Sequence, residues 1–529
     1  MQSTSHLDTV DKIMRLLLFL FLGFSQTWGL RMHSYFTPGM MMQRDVPTKV
    51  WGYDLVGSLD AQLTCQVQGE TIIHRLPTVR SLEGVWETEL PSQAAATVCD
   101  FQATSETEDL VLTDIMFGDI WLCSGQSNME MAMRFIMNAT EEIEASTSFT
   151  SIRYTVVKNA VSTVEDLDAD VPLQQPWADP TDADRLGGMS ATCFLFARSL
   201  QQLWQAAGQE PVPLGLVDSD WGGTPVESWS TPESLASCEA THYCDEERPQ
   251  GCPSRLYNAM IHPLARVALT GFLWYQGESN SGISGGRDLY NCTFPAMIDA
   301  WRELFSSNSN TAPEAPFGFI QLASNQPDSQ GLGFPVIRWH QTADYGFVPN
   351  DRLKNVFMAS PLDTYDDKEG YPGGIHPRYK QIVGERLAIA GIYVAYGMQE
   401  EPYRPYGPLP VSVDLNRVDM LIRVTYEDDI VYDNTEISGF YYCEESPLNC
   451  DDTNSVALWN EVAKGAVMQY DSKTLSISIA FTTEEFSLAY AWRETPVKRY
   501  LGLPVYGDEQ HFSLPSPPWK KGCSGTNCN

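Results

Sequence analysis

Between residues 116 and 402, short runs of apolar residues alternate with longer stretches of helical periodicity. The apolar runs are "DIWLC", "PLGLVDS", "TGFLWYQ", "FGFIQLA" and "NVFMAS", and the stretches between them include "SATCFLFARSLQQLWQAAG", "FPAMIDAWRELF" and "RYKQIVGERLAIAGIYVAYG". Strands that are apolar along their whole length are buried on both faces, and parallel strands need helical crossovers between them. The alternation therefore predicts an α/β fold, with a parallel sheet between two layers of helices.

The regions on either side of this segment have a different pattern. Residues 30–115 and 403–529 contain short β-prone runs separated by turns rich in Gly, Asp and Ser, which is typical of β-sandwich-like domains. A chain of 529 residues is too long for a single core. We expect a signal peptide over 1–29, an N-terminal β domain over 30–115, an α/β domain over 116–402 and a C-terminal β domain over 403–529.

The first thirty residues resemble a secretory signal. Lys12 and Arg15 precede a short apolar run, 16–24, and small residues follow it. The run is too short for a comfortable membrane span, and no later stretch reaches that length. Two sequons, at Asn138 and Asn291, are predicted glycosylation sites and fit the same route. We expect the protein to enter the secretory pathway without membrane insertion and to act in the lysosome or outside the cell.

Charge excludes one class of partner. The chain has 34 basic and 68 acidic residues, a net charge of −34, so nucleic acid phosphates and anionic membrane surfaces would repel it. The sequence does not determine the oligomeric state. No H-E-x-x-H motif and no dinucleotide-binding glycine motif is present, so we expect no metal and no cofactor.

The 12 cysteines fit an oxidising compartment, because their number is even and no C-x-x-C pair is present. Plausible disulfides join Cys65 to Cys99, Cys443 to Cys450, and Cys523 to the last cysteine, Cys528; the pairing cannot be deduced from the sequence. Cys123, on the strand before a serine-containing turn, is expected to be a buried free thiol.

Four loops follow candidate strands where an open α/β sheet places its functional sites, at the carboxyl edge. They read "SGQSN", "DSDWGGTPVESW", "QGESN" and "SPLDTYDDKEGYPGGIHPRYK". The first carries Ser127 on a strand-to-helix turn, where backbone N–H groups are unpaired and favour negative charge. The last carries His376, and Pro377 suits a first helical turn, so we expect His376 at the start of a helix.

These loops contain the groups needed for acyl transfer. A serine hydroxyl is a poor nucleophile until a base takes its proton, and His376 is the candidate base for Ser127. The developing oxyanion needs hydrogen-bond donors aimed at it. The predicted oxyanion hole consists of the Ser127 N–H, the Gly223 N–H and the side-chain amide of Gln276.

The four motifs "GDIWLCSGQSNMEM", "WGGTPVESW", "WYQGESN" and "IHPRYKQIVGERLA" together resemble the SGNH hydrolase superfamily and, within it, the sialate O-acetylesterase family. The similarity extends along the whole chain. It implies an SGNH-type, flavodoxin-like three-layer hydrolase domain, with Ser127 as nucleophile, His376 as base, and Gly223 and Gln276 as oxyanion donors. Many members carry an asparagine in the third motif, so Asn280 is the alternative to Gln276.

One position departs from the superfamily pattern. An aspartate usually stands three residues before the histidine, and here that residue is Gly373. We expect Asp363 or Asp366 to supply the acid that orients His376. The alternative is a serine–histidine dyad in which a backbone carbonyl holds the imidazole, although a carbonyl stabilises an imidazolium less than a carboxylate does.

The resemblance implies a serine esterase that removes O-acetyl groups from sialic acids or sialoglycans. The expected substrate contacts are Gln126, Asn128, Glu278 and Arg338, the last because an arginine can bind a carboxylate with two parallel bonds. The first alternative is an esterase of another acetylated carbohydrate, such as acetylxylan. The second is a non-catalytic carbohydrate-binding protein, against which the serine–histidine set argues.

Overall fold

The structure, a computed structural model, describes residues 29–528 apart from 55–58, 82–83, 107, 241–243, 283–285, 327–328, 330, 369–372, 401, 434, 451–457, 481–482, 510–511 and 525–526. The predicted signal peptide, apart from residue 29, lies outside the described residues. Within the described ranges, no helix has both the length and the apolar character needed to cross a membrane.

Two small sheets form the N-terminal region. One is antiparallel with the order β1-β3-β7-β6; the other joins β5, β4, β8 and β9 antiparallel, with β2 parallel to β9. The strands are β1 (Arg31–Met32), β2 (Met41–Gln43), β3 (Thr48–Tyr53), β4 (Asp60–Val67), β5 (Glu70–Leu76), β6 (Thr78–Arg80), β7 (Val85–Leu90), β8 (Val98–Thr104) and β9 (Asp109–Gly125).

Strand β9 belongs to two sheets at once. Its first half pairs with β8 in the N-terminal region, and residues 119–125 pair with a strand of the central sheet. The expected boundary between residues 115 and 116 falls inside this strand. The N-terminal sheet and the central sheet are therefore joined by continuous extended backbone.

The central sheet has the order β11-β10-β12-β9-β13-β14-β15, and all its neighbours are parallel except β11 and β10. Its further strands are β10 (Ile152–Val157), β11 (Leu173–Ala178), β12 (Leu214–Asp220), β13 (Gly271–Tyr275), β14 (Phe317–Ile320) and β15 (Val356–Ala359). The predicted parallel sheet is thus present.

Helices cover both faces of this sheet. Alternate residues of β9 face opposite layers: Trp121 and Cys123 pack in one apolar cluster with the helices Ala191–Ala206 and Lys380–Val394, and Ile120 and Leu122 pack in another with the helix Tyr290–Asn308. This is the period-two alternation of a strand buried on both faces. The helices are α1 (Ser127–Glu130), α2 (Ala139–Ser146), α3 (Ala183–Leu186), α4 (Ala191–Ala206), α5 (Pro232–Ser237), α6 (Tyr290–Asn308), α7 (Gly333–His340), α8 (Lys380–Val394) and α9 (Pro447–Cys450). The fold is a three-layer α/β domain with strand-rich regions on both sides in sequence.

The C-terminal region is strand-rich, as predicted. An antiparallel sheet has the order β20-β19-β23-β25-β26-β16-β17-β22-β21, and β18 pairs with β24. The strands are β16 (Pro410–Asn416), β17 (Leu421–Tyr426), β18 (Ile430–Tyr432), β19 (Phe440–Cys443), β20 (Asn460–Glu461), β21 (Val467–Gln469), β22 (Thr474–Ser478), β23 (Glu485–Tyr490), β24 (Val505–Gly507), β25 (Trp519–Ser524) and β26 (Asn527–Cys528).

All cysteines are paired. The three predicted disulfides are confirmed, and three more join Cys123 to Cys193, Cys238 to Cys292 and Cys244 to Cys252. The prediction of a free thiol at Cys123 is wrong. Its side chain faces helix α4, which brings Cys193 from a position far along the sequence. Six disulfides fit a chain that folds in an oxidising compartment, as the secretory pathway provides.

Candidate active site

Neighbouring strands of the central sheet end at the same level. In the sheet register, Gly125 at the end of β9 is opposite both Asp220 of β12 and Tyr275 of β13. The loops that follow these strands carry Ser127, Gly223 and Gln276. The carboxyl edge of the sheet therefore brings the first three predicted motifs together, as expected for this fold.

The turn that carries Ser127 depends on a glycine. Gly125 has a φ of +140°, and a Cβ at this position would lie 2.3 Å from the carbonyl oxygen of Tyr275. Only glycine allows this close approach. The Gln126 N–H donates to the same carbonyl at 3.0 Å, and helix α1 then begins at Ser127. The helix is a single turn and leaves Ser127 half-buried at its start.

Gln126 holds the first loop to the third. Its side-chain oxygen accepts hydrogen bonds from the N–H of Ser279 at 3.1 Å and of Gly277 at 3.5 Å. Its Nε2 donates to no described residue. The predicted contact of Gln126 with substrate stays a prediction, and Nε2 is the atom available for it.

The second loop lies directly beside Ser127. The Trp221 N–H donates to the Gly125 carbonyl at 3.1 Å, and a Cβ at Gly222 would lie 3.3 Å from the Ser127 Cβ. The Gly222 N–H donates a hydrogen bond to Glu130 Oε2 at 2.9 Å, so it is already occupied. Among the described residues, neither the Ser127 N–H nor the exposed Gly223 N–H donates a hydrogen bond. These two amides are free to stabilise an oxyanion.

Gln276 has no such free donor. Its side chain is fully buried, and its Nε2 donates to the Thr224 carbonyl at 3.2 Å and to Asn280 Oδ1 at 2.7 Å. Its Oε1 accepts from the Tyr290 hydroxyl at 2.8 Å. The prediction of Gln276 as an oxyanion donor is corrected. Both N–H bonds of its side-chain amide are used, one in a hydrogen bond to the second loop and one in a hydrogen bond to the third. The alternative, Asn280, is also engaged: its Nδ2 donates to Glu227 at 2.9 Å.

Asn128 links the nucleophile turn to the histidine loop. Its Nδ2 donates to the carbonyl of Ile375, the residue before His376, at 2.9 Å and to Glu278 Oε1 at 2.6 Å. Its Oδ1 accepts from Lys380 Nζ at 2.6 Å. The predicted substrate contacts of Asn128 and Glu278 are corrected, because the two side chains are buried and bond to each other. They position the loops.

Lys380 is a site residue that the sequence analysis missed. Its ammonium is fully buried, lies 4.9 Å from the ring centroid of Tyr275, and has a pKa lowered to about 7 by burial. Burial also raises the pKa of Glu278, whose Oε2 is buried without a hydrogen-bond partner. A lysine at the start of a helix usually faces water, so the sequence carried no signal for this role.

His376 lies in the turn before helix α8. The helix begins at Lys380, so the prediction that His376 starts a helix is wrong. The His376 N–H donates to the Gly373 carbonyl at 3.4 Å. Burial, and secondly the charge of Lys380, lower the pKa of His376 to about 4. The imidazole is therefore neutral at pH 7 and able to accept a proton.

The side chains of Ser127 and His376 are not hydrogen-bonded to each other in the described part of the chain. Their neighbours Asn128 and Ile375 are, so the two loops are adjacent. Catalytic hydrogen bonds are often long without substrate and tighten when it binds.

Neither candidate acid serves His376. Asp363 is fully buried and accepts from both terminal nitrogens of Arg386, at 2.6 and 2.8 Å, and from the Tyr506 hydroxyl at 2.7 Å. Asp366 accepts from Arg378 Nε at 2.7 Å and Nη2 at 2.8 Å. Among the described residues, neither carboxylate bonds to the imidazole. The expectation of an aspartate third member is corrected; both aspartates shape the loop, and the dyad alternative remains.

Arg338 also has a different role from the one expected. Its guanidinium is fully buried and donates to four carbonyl groups, two after β14 and two after β23, at 2.6–2.8 Å; the acceptors are Leu322, Ala323, Arg493 and Glu494. Burial lowers its pKa to about 9. The substrate contact is corrected, because Arg338 instead ties the central domain to the C-terminal strands.

The two sequons differ in accessibility. Asn138 is exposed at the start of α2. Asn291 donates from Nδ2 to Asp344 at 2.7 Å, and Thr293 of the same sequon is buried. Asn138 is therefore the better placed of the two predicted glycosylation sites.

Comparison with known proteins gives one consistent result. The family described as "Carbohydrate esterase, sialic acid-specific acetylesterase" matches residues 117–358, and the "Sialate O-acetylesterase C-terminal domain" matches residues 411–523. A sialate O-acetylesterase of Homo sapiens is 35% identical over 507 residues, 93% of this chain and 92% of that protein. The Rattus norvegicus sialate O-acetylesterase is 35% identical over 541 residues, 93% of this chain and 94% of its own.

A solved structure has the same fold. A carbohydrate acetylesterase from Xanthomonas citri superposes with a TM-score of 0.72 at 23% identity, covering 93% of this chain and 99% of that one. The shared architecture therefore extends beyond the catalytic domain to the strand-rich regions. On the identity and coverage of its relatives, the chain belongs to the sialate O-acetylesterase family.

Proposed function

We propose that this protein is a carboxylic ester hydrolase that removes O-acetyl groups from sialic acids, with Ser127 as nucleophile and His376 as general base. The observation that carries the residue assignment is the hydrogen bond from Asn128 to the Ile375 carbonyl, since it joins the segment bearing Ser127 to the segment bearing His376. Family membership supports the substrate class.

The reaction has two halves. Ser127 Oγ attacks the acetyl carbonyl carbon and gives its proton to His376, and the oxyanion accepts hydrogen bonds from the Ser127 and Gly223 amides. The ester bond then breaks, and the sugar oxygen takes the proton from His376. Water next attacks the acetyl-serine and gives one proton to His376; Ser127 recovers that proton as acetic acid leaves and ionises in water.

The dyad fits the electrostatics of the loop. Asp363 and Asp366 are both bound to arginines, so neither of these two aspartates is engaged with His376. A neutral histidine with a pKa of about 4 remains a base in mildly acidic conditions. We propose the lysosome or the extracellular space as the place of action, which the disulfides also favour.

The experiment that tests this proposal measures acetate release from O-acetylated sialic acid and from acetylated xylan by the secreted protein and by Ser127→Ala. We expect release from the sialic acid only, and a loss of about 10⁴-fold or more in kcat for the variant. Release from xylan alone would favour the other acetylated carbohydrates. Release from neither would favour a non-catalytic carbohydrate-binding protein.

A further inference from the structure

A cavity of about 310 Å³ lies between the central domain and the C-terminal region, outside the residues discussed so far as catalytic. The central domain contributes Ser329, from the loop after β14, and Tyr365, from the loop that also carries His376. Because these loops follow parallel strands, the cavity lies at the same edge of the sheet as Ser127. The C-terminal region contributes the rest of the lining, including Tyr441, Glu461, Arg493 and Lys498.

The two walls of the cavity are tied together. The buried Arg338 donates to the carbonyls of Leu322 and Ala323 on the central side and to those of Arg493 and Glu494 on the C-terminal side. Asn325 adds a bond from its N–H to Thr495 Oγ1 at 3.1 Å. The segment that carries the cavity's cations is thus fixed relative to the end of β14.

The cavity has two cations and one carboxylate. The Arg493 guanidinium lies 4.7 Å from the ring centroid of Tyr441 and donates from Nη2 to the Trp459 carbonyl at 2.7 Å, and its Nη1 is buried without a hydrogen-bond partner. Lys498 and Glu461 are both exposed. Within the described ranges, neither Arg493 nor Lys498 is within salt-bridge distance of a carboxylate. The Glu494 carboxylate accepts from the lining residue Ser329 and therefore also lies in the cavity wall. In a chain of net charge −34, a cavity whose lining includes two cations is nevertheless suited to an anion.

The rest of the lining suits a sugar ring. Tyr365 is partly exposed, and the largely buried Tyr441, Pro496 and Val497 complete the apolar part of the lining. The Ser329 hydroxyl donates to the Glu494 carboxylate, and Thr495 Oγ1 accepts from the Asn325 N–H. Ligand cavities commonly combine an apolar lining with a few polar groups that fix orientation, in volumes from about 300 Å³ upward.

We propose that this cavity binds the carboxylate of a sialic acid residue, with Arg493 and Lys498 as the cationic groups and Tyr365 and Tyr441 as the surface for the ring. The inference rests on the proposed function, because it names where the acidic group of that substrate is held. The carboxylate belongs either to the acetylated residue itself or to a neighbouring sialic acid of the same glycan, and the two sources share this chemistry.

The test compares kcat and KM of Lys498→Ala, Arg493→Gln and Glu461→Gln with the unmodified protein. The substrates are O-acetylated N-acetylneuraminic acid, its methyl ester, the corresponding disialoside and 4-nitrophenyl acetate. The methyl ester keeps the shape of the sugar and removes its charge. Lys473→Ala, which alters an exposed lysine in the turn before β22, is the matched control.

We expect KM for the acidic sugar to rise about tenfold in Lys498→Ala and Arg493→Gln, as for loss of a charge-assisted contact, and to fall in Glu461→Gln, because a competing negative charge is removed. The methyl ester and 4-nitrophenyl acetate should be unaffected. A rise in KM that is confined to the disialoside would show that the cavity binds the carboxylate of the neighbouring residue. A rise in KM with the monosaccharide would show that it binds the carboxylate of the acetylated residue.

Two results would overturn the inference. One is an unchanged KM for both acidic substrates in Lys498→Ala and Glu461→Gln, whose exposed side chains make no contact needed for folding. The other is an equal rise for the acid and its methyl ester. If these variants behave like the unmodified protein and O-acetylated sialic acid is still hydrolysed, the proposed function stands and only the cavity assignment fails.

Discussion

The Nδ2 group of Asn128 donates a 2.9 Å hydrogen bond to the carbonyl of Ile375. One partner follows the predicted nucleophile and the other precedes the predicted base, so a single buried amide sets the spacing of the two loops. Lys380 donates a hydrogen bond to the Oδ1 atom of the same side chain, and Glu278 accepts a second hydrogen bond from its Nδ2 group. The network explains why these polar groups are buried: each stabilises the position of a loop.

Replacing Asn128 should therefore disrupt catalysis without removing a reacting group. We expect Asn128→Ala to lower kcat by about 10²-fold, since displacing a catalytic group by about 1 Å costs this much. The measurement is steady-state hydrolysis of 4-nitrophenyl acetate, with Asn308→Ala at the last residue of α6 as the control. A kcat within twofold of the unmodified protein would show that the loop is positioned by other contacts.

The charge of Lys380 should affect the pH dependence. The pKa of His376 is lowered by burial first and by Lys380 second, and the imidazole must be neutral to accept a proton. Removing the charge in Lys380→Met raises that pKa, so the acid limb of kcat/KM should move to higher pH. Lys380→Arg keeps the charge and should leave the limb in place. If both variants keep the acid limb of the unmodified protein, the ammonium does not influence the imidazole.

Two buried carboxyls near the site should make stability depend on pH. Burial raises the pKa of Asp218 to about 7 and, together with the charge of Asp218, raises the pKa of Asp220. A raised carboxyl pKa adds stability that is full below the ordinary value of 3.8 and is lost as the pH rises toward about 7. Asp220→Asn should thus raise Tm at pH 7.5 and leave it nearly unchanged at pH 4.

Thermal unfolding at the two pH values measures this effect, with the exposed Asp414→Asn as the control. An equal change of Tm at both pH values would mean that the substitution acts through packing and that the carboxyls carry no linkage to pH.

The disulfide between Cys123 and Cys193 should contribute to global stability. It joins the strand that leads to Ser127 with helix α4 across a sequence separation of 70 residues. Loop-closure entropy predicts a loss of about 4 kcal/mol in the free energy of unfolding when both cysteines become alanine. Denaturant unfolding of the double variant measures the loss. A midpoint equal to that of the unmodified protein would show that the bond constrains little in the unfolded chain.

The sequence predicted the parts of the fold that depend on local pattern. Apolar strands, the helices α4, α6 and α8, and the turn at Ser127 all follow from periodicity and turn chemistry. The partner of Cys123 was not predictable, because it depends on which helix packs on that face of β9. The boundary expected between residues 115 and 116 was not a break in the fold, because the single strand β9 pairs in both sheets.

The roles of polar groups were harder to predict than their location. The carboxyl edge was identified correctly, and Ser127 and His376 lie on adjacent loops there. Gln276 was expected to donate to the oxyanion, and Glu278 and Arg338 were expected to contact substrate, but each is bonded internally. Whether an amide or a guanidinium is free to bind substrate depends on hydrogen-bond partners that are distant in sequence. Only the folded structure shows which of these partners lie within hydrogen-bond distance.

The most direct test of the account is covalent labelling of the nucleophile with a fluorophosphonate, located by peptide mass spectrometry. The account predicts that the label attaches to Ser127 and that His376→Ala slows labelling strongly, because the neutral imidazole removes the serine proton. Attachment to another serine, or labelling of Ser127 at the same rate without His376, would contradict the claim that these two residues form the catalytic pair.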